Sequence, residues 1–192
     1  MEFETTRCPW AGSEQIYIDY HDKEWGIPLH DDQRLFEMLI LEGMQAGLSW
    51  ITVLKKREAF RKAFDNFDPE KVAEYDDKKL AELMENPALI RNRAKISAAV
   101  TNARAFLAVQ EEFGSFDKFI WSYVDNTPIV NAPVNMSDVP ANTPLSDKIN
   151  KDLKKRGFKF VGTTIVYSFM QAVGMVDDHL TDCFCHTKNR SN

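Results

Sequence analysis

The chain has 192 residues and a net charge of −5, with 44% hydrophobic and 28% charged residues and only 8 Gly and 8 Pro. This composition excludes collagen-like, disordered and low-complexity classes, and the length suits one well-buried core better than two independent domains. The global charge argues against a protein that coats nucleic acid, because binding to phosphates usually leaves a basic footprint.

Helical periodicity recurs along the chain, and most predicted helices begin after a residue whose side chain can cap them. In chain order, these capping positions are Asp31 or Asp32, Ser49, Asp68, Asp76 or Asp77, Ser115 and Thr143. A further, long helix is predicted from apolar residues at helical spacing over 96–107, and Gly157 ends the helix that begins at Thr143. No sustained alternation of polar and apolar residues is present, so the predicted fold class is all-α.

One segment, residues 125–142, breaks this pattern. It contains four Asn and three Pro and has no apolar stripe. We therefore predict a long surface connection. Because only about 50 residues follow it, we favour a single domain over residues 1–192, built from two helical lobes.

The cysteines and the apolar segments indicate a cytoplasmic protein without a membrane partner. Three cysteines are too few and too scattered for a disulfide framework, and their odd number favours reduced thiols. Residues 1–7 are acidic and contain no apolar run, so we expect no signal peptide. The most apolar stretch, residues 161–176, is too short and too polar to span a bilayer, so we predict a buried helix there.

Cysteine and histidine pairs lie near both ends of the chain. Cys8 and His21 belong to the N-terminal part, whereas His179 and Cys183, at i,i+4 spacing, would point the same way from one helical turn. Two thiolates and two neutral imidazoles make a closed tetrahedral set that suits zinc, and a closed set is structural because it leaves no position for water. Such a site would join the N- and C-terminal segments.

Spacing alone does not decide for this zinc site. The alternative, that these are merely small buried residues, is favoured on spacing because the two pairs are far apart in the sequence. The neighbouring Cys185 and His186 also leave the choice of ligands open.

Five aromatic residues and one carboxylate within the first 50 residues suggest a ligand pocket. The aromatic residues are Trp10, Tyr17, Tyr20, Trp25 and Trp50. Glu42 follows an apolar run over 38–41, and a buried carboxylate is costly unless something pairs with it. Because aromatic faces attract flat cations, the set suits a planar, cationic or electron-poor ring that also donates hydrogen bonds. The alternative interpretation is an ordinary aromatic core, with Glu42 at a solvated helix end.

The segment 153–165 predicts a helix-hairpin-helix that grips a DNA backbone without contacting the bases. Gly157 and Gly162 permit a tight turn, and the free N–H groups of the helix that begins near Thr163 can bind an anion. Four basic residues, including Lys159, lie beside this turn. From this motif alone, a helical hairpin with a solvated, lysine-rich end is the more frequent explanation.

Four ordered stretches give the chain a specific resemblance. They are Arg-Cys-Pro-Trp (7–10), Tyr-His-Asp-Lys-Glu-Trp-Gly (20–26), Leu-Glu-Gly-Met-Gln-Ala-Gly-Leu-Ser-Trp-Ile-Thr-Val-Leu-Lys-Lys-Arg (41–57) and Lys-Lys-Arg-Gly-Phe-Lys-Phe-Val-Gly-Thr-Thr (154–164). From about Arg7 to Cys183, the sequence resembles the bacterial DNA-3-methyladenine glycosylase I family.

The resemblance implies an all-α helix-hairpin-helix glycosylase fold, with the hairpin at about 144–174, and a bacterial enzyme of base excision repair. Such an enzyme removes 3-methyladenine from alkylated double-stranded DNA by hydrolysis and leaves an abasic site. The resemblance also implies one structural zinc ion per chain. Its ligands fall on Cys8, His21, His179 and Cys183.

The resemblance further implies roles for the pocket and hairpin residues. Glu42 and Tyr20 would recognise the base and form the catalytic pair, and Leu48 would fill the gap that an extruded nucleotide leaves in the duplex. The other pocket residues would be Trp10, Tyr17, Trp25 and Trp50. The DNA backbone would be contacted by Gly157, Lys159, Gly162 and Thr163.

The implied mechanism follows from the lesion. Methylation at N3 makes the base cationic and a good leaving group, so little acid catalysis is needed. The enzyme extrudes the nucleotide, selects the cation by aromatic stacking and by Glu42, and lets water attack C1′. No nucleophilic lysine is expected, so the enzyme would be monofunctional. A monomer is the default, because one site acts on one lesion.

Two features depart from the wider superfamily. Many of its members carry a catalytic aspartate after the hairpin, which this family is described as lacking, and Asp177 and Asp178 lie where one would be sought. For these we favour a helix cap and a partner for a zinc ligand. The hairpin also has Gly-Phe-Lys-Phe-Val-Gly in place of the usual Pro-Gly-Val-Gly core, which leaves its backbone contacts open.

Two other functions remain as alternatives. The first is a non-catalytic module that binds alkylated bases with the same pocket and hairpin. The second is a zinc hydrolase with an open metal site, against which the Cys/His set without a spare carboxylate ligand argues.

Charge is distributed unevenly along the chain. The first 50 residues carry 3 basic and 10 acidic residues, whereas positive charge clusters at 55–57, 91–95 and 154–159. We therefore expect weak, salt-sensitive DNA binding through a small basic patch, and the global charge does not exclude it.

Overall fold

The computed structural model describes residues 6–190, and helices dominate this part of the chain, as predicted. Residues 1–5, which belong to the segment expected not to be a signal peptide, lie outside it. The α-helices are α1 (Gln15–Lys23), α2 (Asp32–Met44), α3 (Trp50–Ala63), α4 (Pro69–Ala73), α5 (Asp77–Glu85), α6 (Arg93–Phe113), α7 (Phe116–Trp121), α8 (Pro144–Lys155) and α9 (Thr163–Ala172). Short 3-10 turns lie at Pro9–Ala11, Asp65–Phe67, Ser122–Val124 and Met136–Asp138.

Most of the predicted capping side chains begin their helices. Asp31 accepts a hydrogen bond from the backbone N–H of Arg34 at 2.9 Å. The same kind of bond is made by Asp68, Asp76, Ser115 and Thr143. Ser49 precedes α3 as predicted, but its hydroxyl pairs with that of Thr52 at 2.7 Å and caps no backbone group. Local sequence is therefore sufficient to start most of these helices.

Two short strands are absent from the sequence prediction. β1 (Ile129–Val130) lies within the 125–142 segment and pairs in parallel with β2 (Val176–Asp177), in the register Ile129 to Val176. Strands of two residues are too short for alternating side chains to show in the sequence. The prediction of a fold without strands is wrong in this detail. The pairing ties the surface connection to the segment that follows α9.

The core is built around α2, α6 and α9. Helix α2 is buried along most of its length and packs against α3, α6, α7 and α9, and α6 also packs against α4 and α5. Buried apolar residues from Tyr20 to Val176 form one connected cluster. The division into two lobes within a single domain stays a prediction.

Helix α9 is the buried helix predicted within 161–176. The loop over 156–162 joins it to α8, and Gly157 adopts a φ of +93° at the predicted end of α8. No helix in residues 6–190 is long and apolar enough to cross a membrane.

The C-terminal segment returns to the N-terminal one. The backbone N–H of Phe184 donates to the carbonyl of Thr6 at 3.0 Å. A second, small buried cluster forms at this junction and contains Cys8, Leu180, Cys183 and Cys185. The fold therefore brings together the two ends that the sequence analysis predicted to meet.

Candidate functional site

A cavity of about 240 Å³ opens between α1, α2, α3 and α9. It is lined by all six residues predicted for the pocket, which are Trp10, Tyr17, Tyr20, Trp25, Glu42 and Trp50. Further lining residues, which the sequence analysis did not place there, come from the end of α2, the loop over 136–141, α9 and the segment after β2. They include Gln45, Met136, Tyr167, Gln171 and Asp178.

The aromatic side chains form a connected wall. The ring centroid of Trp10 lies 5.1 Å from that of Tyr17 and 4.9 Å from that of Trp25, and Tyr20 lies 5.3 Å from Trp50. Tilted and edge-to-face contacts of this kind are the preferred arrangements of aromatic pairs. The indole Nε1 of Trp50 is buried and has no hydrogen-bond partner in the described part of the chain. The wall thus offers flat apolar surface together with an unused donor.

Glu42 lies in the last turns of α2 and is only 4% exposed. Its Oε2 atom is buried and has no hydrogen-bond partner among residues 6–190. Burial raises the pKa of this carboxyl to about 8, from an ordinary value of 4.5. Glu42 is therefore mostly protonated at neutral pH in the free protein, and a cationic ligand would favour its ionised form. The alternative interpretation of Glu42 as a solvated helix end is wrong.

The two tyrosines near Glu42 stay protonated. Burial raises the pKa of Tyr20 well above its usual value, and the charge of Glu42 adds to this effect. The same two causes raise the pKa of Tyr17. A protonated phenol donates one hydrogen bond, so the cavity combines phenol donors with the carboxyl group of Glu42.

Asp177 is the partner of a predicted zinc ligand. Its carboxylate accepts hydrogen bonds from Nδ1 of His179 at 2.7 Å and from the backbone N–H of Thr187 at 2.8 Å. Burial acts to raise the pKa of Asp177, but the bonds from His179 and Thr187 outweigh it and keep that pKa below its usual value. The expected helix cap is not found, because Asp177 lies in β2.

Asp178 has a different environment from its neighbour and lines the cavity. Its carboxylate accepts hydrogen bonds from Nδ2 of Asn131 at 2.7 Å, from Nε2 of Gln171 at 2.8 Å and from the hydroxyl of Tyr167. All these donors are neutral. Asp178 therefore holds three elements together at the cavity wall and does not contact a predicted zinc ligand through its side chain.

Two histidines and two cysteines bring potential metal-ligand atoms together in a buried group beside the pocket. His21, His179, Cys183 and Cys185 each offer one such atom, and these atoms lie within 4.8 Å of one another. Both imidazole rings bond to carboxylates through Nδ1 at 2.7 Å, which leaves both Nε2 lone pairs for another partner. Nε2 of His179 is buried and unpartnered among the described residues. Imidazoles and thiolates arranged in this way fit a zinc ion.

Cys8, the remaining predicted ligand, lies beside this group. The thiols of Cys185 and Cys8 both hydrogen-bond to Cys183, and these bonds lower the pKa of Cys183. Sγ of Cys185 is 4.0 Å from Nδ1 of His21, the atom that Asp22 already engages. The backbone N–H of Cys8, in contrast, donates to Nε2 of His21 at 3.4 Å. Both thiols therefore remain candidates for the fourth position, and Cys8 lies on the Nε2 side of the His21 ring.

The hairpin between α8 and α9 is held in place from α6. The side-chain amide of Asn102 donates to the carbonyl of Lys159 at 2.9 Å and accepts from the N–H of the same residue at 2.7 Å. Gly157 and the side chain of Lys159 are exposed. Gly162 and Thr163 begin α9, whose first turn has no capping side chain. The uncapped N–H groups at the start of α9 are available to an anion, and the phosphate contact itself stays a prediction.

The other predicted basic clusters contribute less surface charge than their residue counts suggest. Arg57 donates two hydrogen bonds to Glu24, at 2.6 and 2.7 Å, and Lys55 pairs with Glu14 at 2.6 Å. Lys95 is buried. Arg57, Lys55 and Lys95 therefore add little to the predicted basic patch, and DNA binding through that patch stays a prediction.

Leu48 lies in the loop that joins α2 to α3 and is 40% exposed. It borders a smaller recess that it shares with Glu42 and Gln45. The structure thus places an exposed apolar side chain next to the cavity, where the sequence analysis expected one.

The chain is similar to known proteins over nearly its whole length. A family model described as Methyladenine glycosylase matches residues 10–186. The chain is 56% identical over 183 residues to the DNA-3-methyladenine glycosylase of Haemophilus influenzae, covering 95% of this chain and 99% of that protein. It is 50% identical over 184 residues to DNA-3-methyladenine glycosylase 1 of Escherichia coli, with coverages of 96% and 98%. A solved structure of a variant of 3-methyladenine DNA glycosylase I (TAG) in complex with 3-methyladenine matches with a TM-score of 0.91 at 40% identity, covering 94% of this chain and 97% of that chain.

Proposed function

Because the chain belongs to the methyladenine glycosylase family, we propose that it is a DNA glycosylase of base excision repair. It removes 3-methyladenine from alkylated double-stranded DNA by hydrolysis of the N-glycosidic bond and leaves an abasic site. The observation that carries this proposal is the buried carboxyl of Glu42, which has an unpartnered oxygen at an aromatic cavity of about 240 Å³.

Charge is the basis of selection in this pocket. 3-Methyladenine in DNA is a planar cation, whereas adenine is neutral. In the free protein, Glu42 has no positively charged partner in the described part of the chain. The cationic base provides one, so the carboxyl group can ionise without becoming an unpaired buried anion. Neutral adenine offers no such compensation, and the pocket rejects it.

The aromatic wall and Tyr20 complete the recognition of the base. Trp10, Tyr17, Trp25 and Trp50 enclose the flat ring and exclude water, which strengthens the attraction between a cation and an aromatic face. Tyr20, whose phenol stays protonated, donates a hydrogen bond to the base. Glu42 and Tyr20 are thus the proposed catalytic residues.

Catalysis relies on the lesion itself as the leaving group. The N-glycosidic bond breaks as the positively charged base departs as a neutral one, and water bonds to C1′ of the sugar and releases a proton. No lysine lines the cavity in the described part of the chain, so the pocket offers no amine to form a covalent intermediate with the sugar. We therefore propose a monofunctional enzyme that does not cleave the strand.

DNA is held through its backbone while the damaged nucleotide is extruded. Extrusion costs a few kcal/mol of unstacking and unpairing, and Leu48 offsets part of this cost by filling the gap in the duplex. Gly157, Lys159, Gly162 and Thr163 contact phosphates at the hairpin. Because these contacts are few, binding to undamaged duplex is weak and salt-sensitive.

One structural zinc ion per chain joins the N- and C-terminal segments. His21, His179 and Cys183 hold it, with Cys8 as the fourth ligand because it lies on the Nε2 side of the His21 ring, opposite the Nδ1 that Asp22 engages. The unpartnered Nε2 of the buried His179 supports this assignment. We further propose a single-domain monomer that acts in the bacterial cytoplasm.

The test is chromatographic detection of free 3-methyladenine released from methylated duplex DNA. Wild-type protein should release the base, and Glu42→Gln and Glu42→Ala should each lose most of the activity and the preference for the cation. Glu37→Gln is the matched control, because it alters a buried glutamate of the same helix that pairs with Arg61 at 2.8 Å outside the cavity.

Each other outcome has a distinct meaning. If both Glu42 variants keep the wild-type rate and selectivity, the proposed recognition is wrong. Binding of alkylated DNA without release of base would indicate the non-catalytic module. A zinc hydrolase would instead lose its activity to a chelator while still folded.

A further inference from the structure

Lys95 is the only buried lysine in residues 6–190, with 8% of its surface exposed. It lies in the first turn of α6. Its Nζ donates to the carbonyl of Met44 at 2.9 Å and to that of Ala46 at 2.6 Å. One ammonium group thus reaches from α6 to the end of α2 and to the loop beyond it.

Ending a helix does not require such a contact. Burial removes water from the charged form of Lys95 and so lowers its pKa, and its partners here are neutral carbonyl oxygens. A glycine with positive φ can end a helix without a buried charge, and Gly47, with a φ of +77°, is already available in this loop. We therefore interpret the contact as one that fixes the position of the loop after α2.

The loop over 45–49, here called the insertion loop, has few other ties to the molecule. Its N–H groups bond locally, as from Gln45 to the carbonyl of Leu41 at 3.1 Å and from Leu48 to the carbonyl of Gln45 at 2.6 Å. Among the described residues, no side chain other than Lys95 hydrogen-bonds to the backbone of residues 44–48. Lys95 is thus the hydrogen-bonded link between this backbone and α6.

The insertion loop carries two side chains at or beside the cavity. Gln45 lines the cavity, and Leu48 is exposed next to it. We infer that Lys95 is a positioning residue, which holds the insertion loop where Leu48 enters the duplex while the damaged nucleotide occupies the cavity. This inference rests on the proposed function. Glu42 lies within α2, before the carbonyls that Lys95 binds, so we expect the recognition of the base by Glu42 to be independent of Lys95.

The experiment compares excision from duplex DNA with affinity for the free base. Lys95→Met removes the charge and the donors at a similar side-chain length. We expect single-turnover excision of 3-methyladenine from methylated duplex to fall about 10- to 100-fold, the size of effect that small misplacements of positioned groups produce. Affinity for free 3-methyladenine, measured by tryptophan fluorescence, should stay at the wild-type value. Lys71→Met, which removes an exposed lysine of α4, is the control and should change neither quantity.

A double-mutant cycle with Leu48→Ala tests the link directly. If both residues serve the same step, Lys95→Met should add little to the loss in the Leu48→Ala background. Additive losses, or a loss of base affinity in proportion to the loss of excision, would overturn the inference, because a merely structural role predicts them.

A conservative variant covers the case in which Lys95→Met fails to fold. Lys95→Arg keeps the charge and the donors, and we expect a smaller loss that is again confined to the duplex and again absent in the Leu48→Ala background. Equal effects of Lys95→Arg on excision and on base affinity would contradict the inference. Failure of the wild-type protein to release 3-methyladenine would instead refute the proposed function.

Discussion

Replacing Glu42 by Gln should stabilise the free protein while it removes most of the activity. Burial holds the carboxyl protonated in the fold, with a pKa of about 8, whereas the same group ionises near 4.5 in an unfolded chain. Between these two pH values, each pH unit costs the fold about 1.4 kcal/mol of stability, because only the unfolded state gives up the proton.

The direction and size of the effect follow from these two pKa values. Below pH 4.5 both states carry the proton, and Glu42 causes no pH dependence. As the pH rises towards 8 the unfolded state is favoured progressively, by about 3 kcal/mol at pH 7 and about 5 kcal/mol above pH 8. Glutamine has nearly the same shape and no titrating proton, so Glu42→Gln removes this cost.

The assay is urea unfolding of the metal-loaded protein between pH 5 and pH 8. At each pH the free energy of unfolding of the wild type is subtracted from that of Glu42→Gln, which cancels titrations common to both, including those of the metal ligands. The difference should be below about 1 kcal/mol at pH 5 and should grow to about 3 kcal/mol at pH 7.

Glu37→Gln provides the comparison on the same helix. It weakens a pair in which Arg61 donates from Nε at 2.9 Å, so it should lower stability where Glu42→Gln raises it. A stability difference for Glu42→Gln that does not grow with pH would show that the pKa of Glu42 is not raised in the folded protein. Such a result would also refute the proposal that Glu42 lacks a positively charged partner in the free pocket.

Three further substitutions test other parts of the site. Tyr20→Phe should lower the single-turnover rate constant of excision about tenfold with the fold retained, because the loss of one hydrogen bond costs about 1–1.5 kcal/mol. Asp178→Asn should weaken the hydrogen bonds from its three neutral donors, lower the free energy of unfolding by about 1–3 kcal/mol and leave excision per folded molecule intact. Loss of excision in folded, metal-loaded protein would make Asp178 catalytic. Elemental analysis should find about one zinc ion per chain in the wild type and in Cys185→Ser, and far less in Cys8→Ser. If Cys185→Ser loses the zinc and Cys8→Ser keeps it, Cys185 is the fourth ligand.

Features that depend on neighbouring residues were predictable from the sequence. Asp31 and Thr143 cap their helices because the donors they bind lie three residues away, so the whole interaction is written in a short stretch. The identities of the pocket residues were also predictable, since Trp10, Tyr20 and Glu42 are costly or unusual in the context of their own segments.

Features that depend on distant contacts were not predictable. Met136 lines the cavity from a segment without any periodic pattern, and its loop is tied to β2 by strands of only two residues. The sequence analysis counted Lys95 as surface charge, but it is buried against the carbonyls of Met44 and Ala46, which precede it by 51 and 49 positions. The side chains of Asn102 and Asp178 likewise acquire their roles from partners on other elements. In each of these cases the sequence shows the residue type and the fold supplies the partner.

The four buried carboxylates of the described chain separate structure from function. Glu37 is bound by Arg61, Asp177 by a histidine ring and a threonine, and Asp178 by three neutral donors. A fold that meets the hydrogen-bonding needs of three buried acids leaves an oxygen of the fourth, Glu42, without a partner. Buried polar groups are almost always satisfied, because an unsatisfied one costs stability. The exception lies at the aromatic cavity, so we infer that the partner of Glu42 is a ligand. A positive charge on that ligand explains why the protein keeps a buried carboxyl that destabilises its free form.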